Sequence, residues 1–161
     1  MSRKKFYAIG IMSGTSLDGL DMVYCRFIKK KSRWTFKIRA AQTLNYNVEW
    51  KSNLRDAHRL PGESLMKLHA EYGRWIGDRC QNFIKQNKIG KLDLIASHGH
   101  TVFHQPQNGF TFQLGDGQAI FSKTKMPVIF DFRSFDVQLG GQGAPLVPVG
   151  DRYLFGEYDV C

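Results

Sequence analysis

The rest of the chain is organised around residues 9–21, IGIMSGTSLDGLD. The apolar first half of this stretch predicts a β-strand, and a second apolar run, MVYCRFI at 22–28, follows at once. The small polar residues between them predict a tight hairpin with a polar tip. Because glycine lets a backbone come close to a ligand, such a tip can offer N–H groups and hydroxyls to phosphate oxygens. The alternative is a plain turn, since Ser, Thr, Asp and Gly are the common turn residues.

Composition limits the class of protein. The chain has 161 residues, 42% of them hydrophobic and 23% charged, which is typical of a globular domain. No apolar run approaches the roughly 20 residues that span a bilayer, and the N-terminus does not have the pattern of a signal peptide. The three cysteines are widely separated and form no CxxC motif, which favours a reduced, cytoplasmic setting over structural zinc.

The net charge of +9 is concentrated early in the chain. A basic surface can attract nucleic acid. We favour a solvated face, because the charges cluster at turns such as 29–33 without interleaved aromatic residues on which bases could stack. We therefore expect no nucleic-acid partner and no membrane partner. A further interpretation is that the chain is the basic half of a larger protein.

The remaining pattern predicts a three-strand meander followed by alternating helices and strands. The first half is expected to contain strands at 6–13, 20–29 and 33–45, a short helix at 47–58, and a long amphipathic helix from 61–64 to about Gly90. The second half is expected to contain a buried strand at 92–97, a hairpin that pairs 101–104 with 110–114, a helix at 116–123, and a buried strand at 126–130. Residues 139–148, with their glycines and prolines, should not form a regular helix. This order predicts an α/β fold in which a mixed sheet begins with a β-meander and is covered by helices.

Four segments in this order resemble one family. They are residues 9–21, ASHGHTVFHQP at 96–106, FQLGDGQAI at 112–120 and VIFDFRSFDVQLGGQGAPLVP at 128–148. Together they resemble the anhydro-N-acetylmuramic acid kinase family over nearly the whole chain. The resemblance implies a ribonuclease-H-like lobe of the actin-like ATPase superfamily. It also implies an ATP-dependent kinase of peptidoglycan recycling, which opens the ring of 1,6-anhydro-N-acetylmuramic acid with water and phosphorylates O6.

The resemblance assigns the hairpin tip to the phosphates of ATP. The residues matched are Gly14, Thr15, Ser16, Leu17, Asp18, Gly19, Leu20 and Asp21. Gly14 and Gly19 would permit backbone approach, and the hydroxyls of Thr15 and Ser16 would donate hydrogen bonds. Asp18 would act through Mg²⁺ or its waters, since a bare carboxylate repels phosphate. Asp21 has an alternative role as a residue that only stabilises the turn.

The resemblance assigns the second group of residues to the sugar. These residues are Ser97, His98, Gly99, Thr101, Asp131, Arg133, Gly141, Gln142 and Gly143. Arg133 is the candidate for the lactyl carboxylate, because guanidinium binds carboxylates in a bidentate manner. The structural alternatives are a cap for Asp131, a surface ion pair for Arg133 and a plain loop for the glycines. His100 stands where the family pattern usually has glutamine, so its role stays open.

The end of the chain departs from the family pattern. The resemblance implies a catalytic base, an aspartate in a glycine-rich motif, after GGQGAPL at 140–146, and no such motif occurs before Cys161. Residues 158–161 have the pattern of the start of a strand. We therefore expect residues 1–161 to be the N-terminal lobe of a two-lobe kinase, with little activity alone and the base beyond Cys161. A homodimer of the full-length protein is left open.

Two rival functions use the same residues. A metal-dependent hydrolase would use His98, His100 and His104, which could share one face of a strand. A nuclease on the same fold would use Asp18, Asp21 and Asp131 as a carboxylate cluster for two metal ions.

Overall fold

A computed structural model describes residues 4–31, 33–144 and 146–156. The elements are β1 (Lys4–Ser13), β2 (Leu20–Lys30), β3 (Arg33–Leu44), α1 (Val48–Asp56), α2 (Gly62–Gln86), β4 (Leu94–Gln105), β5 (Phe110–Leu114), α3 (Gly117–Thr124), β6 (Val128–Ile129), α4 (Ser134–Gln138) and α5 (Leu146–Leu154). Short 3-10 turns lie at Ala57–Arg59 and Pro106–Asn108. Within the described ranges, no helix combines the length and the apolar character needed to cross a membrane.

The strands form one mixed sheet in the order β3-β2-β1-β4-β5. The first three strands are an antiparallel meander, and β4 pairs with β1 in parallel. On the other side of β4, β6 pairs in parallel with its first half and β5 pairs antiparallel with its second half. The predicted α/β fold with a mixed sheet and a meander start is confirmed.

The core lies between the sheet and α2. Apolar residues recur along α2 at steps of three and four, and the predicted face is buried at Leu68, Tyr72, Ile76, Cys80 and Phe83. These side chains pack against the inward-facing residues of β1, β2 and β4, including Ile9, Leu20 and Ile95. On the opposite face, α5 contacts β3, where the rings of Phe155 and Phe36 meet edge to face at 5.7 Å.

Two expectations about the second half are wrong. The strand predicted at 126–130 is reduced to Val128 and Ile129, and half of the surface of Ile129 is exposed. It pairs only with Ile95 and Ala96 of β4, because β5 occupies the rest of that edge. Residues 139–148 are irregular only in part, since α5 begins at Leu146 and includes Pro148. Proline is tolerated there because the first turn of a helix needs no N–H donor from it. The strand start expected at 158–161 lies outside the described residues.

Helices α2 and α3 pack closely through glycine. A Cβ atom at Gly73 would lie 2.5 Å from the carbonyl oxygen of Asp116 and 2.9 Å from the Cβ of Ala119. One turn later, a Cβ at Gly77 would lie 2.8 Å from the Cβ of Lys123. This contact holds the loop before α3 against α2, and that loop carries one wall of the cleft described below.

Replacing Gly73 with alanine should therefore destabilise the fold. We expect Gly73→Ala to lower the free energy of unfolding by about 1–3 kcal/mol, because backbone atoms have to move. Gly62→Ala is the matched control, since nothing lies within 4 Å of a Cβ there. It should leave the stability unchanged or raise it by up to about 1 kcal/mol. Urea unfolding measures both, and equal stability of the two variants would contradict the close packing.

Candidate functional site

The tip of the β1–β2 hairpin presents polar side chains outward. Thr15, Ser16 and Asp18 are exposed. Leu17 is half-buried against the core with a φ of +58°, and its N–H donates to the carbonyl of Gly14 at 3.3 Å. Among the described residues, no side chain or backbone group bonds to the Thr15 or Ser16 hydroxyl or to the Asp18 carboxylate. Leu17 therefore anchors the tip to the core. The side chains of Thr15, Ser16 and Asp18, called the free polar rim below, are left without a bond to any of the described residues.

The two glycines of the tip differ in their surroundings. A Cβ at Gly14 would meet only the Ser16 side chain, at 3.2 Å, so this backbone is accessible. A Cβ at Gly19 would lie 2.6 Å from the carbonyl oxygen of Leu44. Close packing against β3 therefore explains why position 19 is a glycine. From the sequence we expected a different reason, the approach of a ligand to the backbone. Leu20 is completely buried, so only its backbone is left for a ligand.

Asp21 has a partner within the sheet. Its Oδ1 accepts a hydrogen bond from the Thr43 hydroxyl at 2.6 Å, across the β2–β3 pair. This bond joins the second strand of the hairpin to its neighbour. The alternative left open from the sequence was a residue that stabilises the turn, and the bond observed links β2 to β3 instead.

A buried chain of hydrogen bonds lies beneath the hairpin tip. The Tyr46 hydroxyl donates to Ser13 Oγ at 2.8 Å and lies 2.6 Å from the Tyr72 hydroxyl. Ser13 Oγ in turn lies 3.3 Å from His100 Nδ1. All four side chains are buried, and they come from β1, β4, α2 and the segment before α1. These hydrogen bonds therefore fix the position of Ser13, the last residue of β1, where the hairpin tip begins.

Aromatic packing surrounds this buried chain. The ring of Tyr72 stacks on Trp75 at 5.8 Å, and Trp50 lies 5.2 Å from Tyr72 and 5.3 Å from Trp75. Burial raises the pKa of the Tyr46 and Tyr72 hydroxyls, so both stay protonated and able to donate. Burial likewise lowers the pKa of His100, although hydrogen bonds to the backbone of Gly14 and Leu54 act in the opposite direction.

A second cluster joins β4 to the glycine-rich segment after α4. Arg133 donates from Nε to His98 Nε2 at 2.9 Å and from Nη1 to the Gly143 carbonyl at 2.7 Å. Since guanidinium only donates, His98 Nε2 carries a lone pair, and its proton is on Nδ1, which donates to the Gly99 carbonyl at 2.9 Å. Burial lowers the pKa of His98, as does the Arg133 charge, which agrees with a neutral ring.

Asp136 shapes the glycine segment and was missed in the sequence. Its carboxylate accepts from the Gly143 N–H at 2.7 Å and packs directly against Gly141, where a Cβ would overlap it. Gly140 and Gly143 have φ angles of +84° and +68°, which favour glycine. Gln142 is exposed at the turn. Its spacing from Arg133 could have identified it in the sequence. Asp136 follows Arg133 by three residues, and residues at this spacing lie on the same side of a helical turn.

A small cleft lies beside this cluster. Its volume is about 120 Å³, and the predicted sugar residues Ser97, His98 and Asp131 line it together with His69 and Gln113. Asp131 has a φ of +54° and accepts from the Ser134 hydroxyl. The other six predicted sugar residues do not line the cleft. Arg133 and residues 141–143 lie in the neighbouring cluster, Thr101 pairs with β5, and Gly99 packs on the carbonyl of Leu114, where no Cβ fits.

The phosphate-loop candidates and the sugar candidates lie at the same end of the sheet. Ser13, the last residue of β1, pairs with His100 of β4, two residues after His98. Because β1 and β4 are parallel neighbours, the carboxyl end of β1 lies beside the middle of β4, where His98 and His100 stand. Both groups of predicted residues therefore border one region.

The two rival metal sites do not form. His98 bonds to Arg133, His100 bonds to Ser13, and His104 lies 3.2 Å from the Thr111 hydroxyl. The register of β4 shifts twice, around Gly99 and around Val102, so the side chains of the histidines do not share one face. Across 4–31, 33–144 and 146–156, no group of three or more His, Cys, Asp or Glu residues is arranged to hold a metal ion. This excludes both the histidine set and the Asp18, Asp21 and Asp131 set as preformed sites.

Comparison with known proteins gives a consistent family. The family model described as anhydro-N-acetylmuramic acid kinase matches residues 6–160. Proteins named anhydro-N-acetylmuramic acid kinase from Acinetobacter baylyi and Zymomonas mobilis are 38% and 37% identical over 91% and 93% of this chain. One from Synechococcus elongatus is 36% identical over 92%. The chain spans 39%, 44% and 41% of these relatives' lengths, which is about two fifths.

The buried histidines should make stability depend on pH. Burial lowers the pKa values of His69, His98 and His100 from the ordinary 6.5, so below about pH 6.5 the unfolded chain binds protons that the folded chain does not. The free energy of unfolding should fall as the pH drops below 6.5 and should level off below the folded pKa values. His100→Gln should reduce this slope, and the exposed His58→Gln is the control that should not. Denaturant titrations between pH 5 and 8 measure the slope, and a slope unaffected by His100→Gln would contradict the assignment.

Proposed function

The chain belongs to the anhydro-N-acetylmuramic acid kinase family, and we propose that it forms the nucleotide-loop and sugar-cleft part of an ATP-dependent kinase. The proposed substrate is 1,6-anhydro-N-acetylmuramic acid, and the proposed setting is cytoplasmic peptidoglycan recycling. The observation that supports the proposal is the pairing of Ser13, from which the hairpin tip begins, with His100 on the strand that also carries His98, the partner of Arg133.

In the proposed reaction, water adds to C1 of the sugar and the bond between C1 and O6 breaks. The freed O6 takes the γ-phosphoryl group of ATP, giving N-acetylmuramic acid 6-phosphate and ADP. A base has to take a proton from the water. We propose that this base comes from a second lobe, since the chain spans only about two fifths of its relatives' length.

The hairpin tip fits a nucleotide with its metal ion. The hydroxyls of Thr15 and Ser16 are exposed donors, and the backbone at Gly14 is open to a close approach. Asp18 has an exposed carboxylate, which would hold Mg²⁺ through its water ligands. When bound, Mg²⁺ neutralises charge on the transferred phosphoryl group. The role of this protein is to orient the phosphates. The buried hydrogen bonds to Ser13 stabilise the base of the hairpin tip.

Arg133 supports the assignment of a carboxylate-bearing sugar. His98 accepts the Nε hydrogen and the Gly143 carbonyl accepts one Nη1 hydrogen, so the edge formed by Nε and Nη2 cannot bind a carboxylate in a bidentate manner. The two Nη2 hydrogens and the second Nη1 hydrogen remain for the lactyl carboxylate. The fixed position of Arg133 means that little of its side-chain entropy is lost on binding.

A chimeric enzyme tests the proposal. Residues 1–161 replace the matching region of the Acinetobacter baylyi relative, and the purified chimera is mixed with Mg²⁺–ATP and 1,6-anhydro-N-acetylmuramic acid. We expect a product that gains the elements of water and one phosphoryl group, detected by mass spectrometry, with one ADP formed per sugar. A folded chimera that hydrolyses or ignores ATP without altering the sugar would refute the proposed kinase.

Asp18→Asn in the chimera tests the role of the tip. We expect kcat to fall by at least about tenfold while KM for the sugar stays within about threefold, because the carboxylate acts on the nucleotide side. Glu63→Gln is the matched control, since Glu63 is an exposed carboxylate at the start of α2. Unchanged turnover in Asp18→Asn would remove Asp18 from the phosphate site.

A further inference from the structure

We infer that His100 is a positioning residue for the nucleotide. It holds the carbonyl of Gly14 in place and thereby orients the free polar rim of the hairpin tip toward the phosphates. This inference rests on the proposed function and adds to it a buried residue that acts on the nucleotide through the backbone of the tip, without touching the ligand. The sequence left the role of His100 open.

The carbonyl of Gly14 closes the turn that carries the rim. It accepts a hydrogen bond from the N–H of Leu17, three residues later, at 3.3 Å. Thr15 and Ser16 are therefore the two central residues of a four-residue turn. Because both of these side chains are exposed, the directions of their N–H groups and hydroxyls depend on where the Gly14 carbonyl is held.

His100 contacts this turn from the inside of the protein. It is only 4% exposed, and it pairs across the β1–β4 ladder with Ser13, the residue before Gly14. Its ring hydrogen-bonds to the backbone of Gly14 and of Leu54, and both bonds raise the pKa of the ring. The backbone groups are therefore acceptor carbonyls, because a backbone N–H donor would lower that pKa.

Leu54 connects the ring to an element outside the sheet. It is buried in the last turn of α1, where the carbonyls of a helix have no partner within the helix. His100, on β4, thus joins the hairpin tip to the end of α1. The position of the Gly14 carbonyl is therefore determined by two elements that are distant from the tip in sequence.

The hydroxyl groups beside the ring determine which of its nitrogens accepts. Tyr46 gives its single hydrogen to Ser13 Oγ, so the hydrogen between Tyr46 and Tyr72 comes from Tyr72. The hydrogen of Ser13 is then left for His100 Nδ1, which accepts it. Burial lowers the pKa of His100, which agrees with a neutral ring whose one N–H is left for the carbonyls. The hydrogen bonds therefore run in one direction, from Tyr72 toward the tip.

This network is better suited to fixing a geometry than to adding stability. A buried polar pair contributes little more to the free energy of unfolding than apolar side chains of the same shape would. A polar network in which every group has a partner instead specifies one arrangement, because any other arrangement leaves a buried group unpaired. The rest of the core around it is apolar, with Ile11, Leu20 and Ile76 among its members. The polar groups are thus placed where the tip needs a defined position.

Amide hydrogen exchange tests the link to the turn without a nucleotide. The measured quantity is the exchange rate of the Leu17 amide in residues 1–161, followed by NMR. We expect His100→Ala to raise this rate by at least about fivefold, because the Gly14 carbonyl loses its support. His100→Gln should stay within about twofold of the wild-type rate, since a glutamine amide also offers one acceptor and an N–H donor.

Cys80→Ala is the control for general destabilisation. Cys80 is completely buried on α2, about two turns along the helix from Tyr72. Leu17 lies in a turn, so its amide exchanges through local opening rather than through global unfolding. We therefore expect Cys80→Ala to lower the melting temperature and to leave the exchange rate of the Leu17 amide unchanged.

Calorimetry on the chimera tests the effect on the nucleotide. We expect His100→Ala to weaken the binding of Mg²⁺–ATP, measured without sugar, by about 5- to 30-fold, and His100→Gln to restore it. The Kd for 1,6-anhydro-N-acetylmuramic acid should stay within about threefold in both variants. Tyr46→Phe removes one hydroxyl from the network and keeps the ring, so it serves as the milder variant if His100→Ala does not fold. It should weaken Mg²⁺–ATP binding by about two- to fivefold.

A double variant shows whether the two residues act through one network. Tyr46→Phe combined with His100→Ala should bind Mg²⁺–ATP no more weakly than His100→Ala alone, because the effect of Tyr46 reaches the tip through Ser13 and His100. Losses that simply add would place Tyr46 outside this network and would contradict the inference.

The remaining outcomes separate the inference from the kinase proposal. Wild-type exchange of the Leu17 amide in both His100→Ala and Tyr46→Phe overturns the inference, as does an equal effect of Cys80→Ala. Unchanged Mg²⁺–ATP affinity, or an equal loss of affinity for ATP and sugar, also overturns it, while the kinase proposal stands. If exchange and nucleotide affinity respond as expected but the chimera transfers no phosphate, the positioning role of His100 stands and the proposed kinase activity fails.

Discussion

One extra residue in β4 determines the arrangement of the candidate site. Ile11 pairs with Ser97 and Ser13 pairs with His100, so His98 and Gly99 together oppose Met12. The φ of +72° at Gly99, and the Leu114 carbonyl against it, leave no space for a side chain. In a regular strand, His98 and His100 would point to the same face. The bulge separates them, so that His100 joins Ser13 under the hairpin tip and His98 joins Arg133 beside the cleft.

The two histidines then have different physical surroundings. His100 belongs to a buried chain with Ser13, Tyr46 and Tyr72, in which each polar group has a partner. Such a hydrogen-bond network stabilises the fold only when every polar group in it has a partner, because an unpaired polar group in a low-dielectric interior lowers the free energy of unfolding. It makes the base of the tip rigid, while Thr15 and Asp18 above it are free for a ligand. The cleft beside His98 shows the opposite arrangement, since Ser97 and Gln113 have unpaired atoms there.

The elements were predictable where periodicity is long and regular. The meander followed from the apolar or alternating runs at 6–13, 20–29 and 33–45, and α2 followed from apolar residues every three or four positions. The length of the strand at 126–130 was overestimated. Only Val128 and Ile129 find a place beside β4, since β5 pairs with the rest of that strand, and a local apolar pattern does not reveal this. The helix through Pro148 was missed because composition alone does not show that the proline falls in a first turn.

The sequence predicts which residues lie near the candidate site better than it predicts what each of them contacts. The motif residues Ser97, His98 and Asp131 do border one cleft. The bulge at Gly99 depends on the carbonyl of Leu114, which is distant in sequence, and Gly19 is explained by Leu44 of β3. Gln113 is an ordinary polar residue in a strand until the partners of Thr111 determine which way its amide points. Such roles depend on tertiary neighbours, which spacing within one motif does not encode.

The aromatic packing around Tyr72 has an optical consequence. Two of the three tryptophans, Trp50 and Trp75, lie in contact with the tyrosines that anchor Ser13, whereas Trp34 lies in β3 with the Lys29 ammonium 5.3 Å from its ring. Two of the three indoles that contribute to the intrinsic fluorescence of the protein therefore adjoin the base of the hairpin. Quenching or a spectral shift on addition of a nucleotide would follow the ordering of that region in real time, without any attached dye.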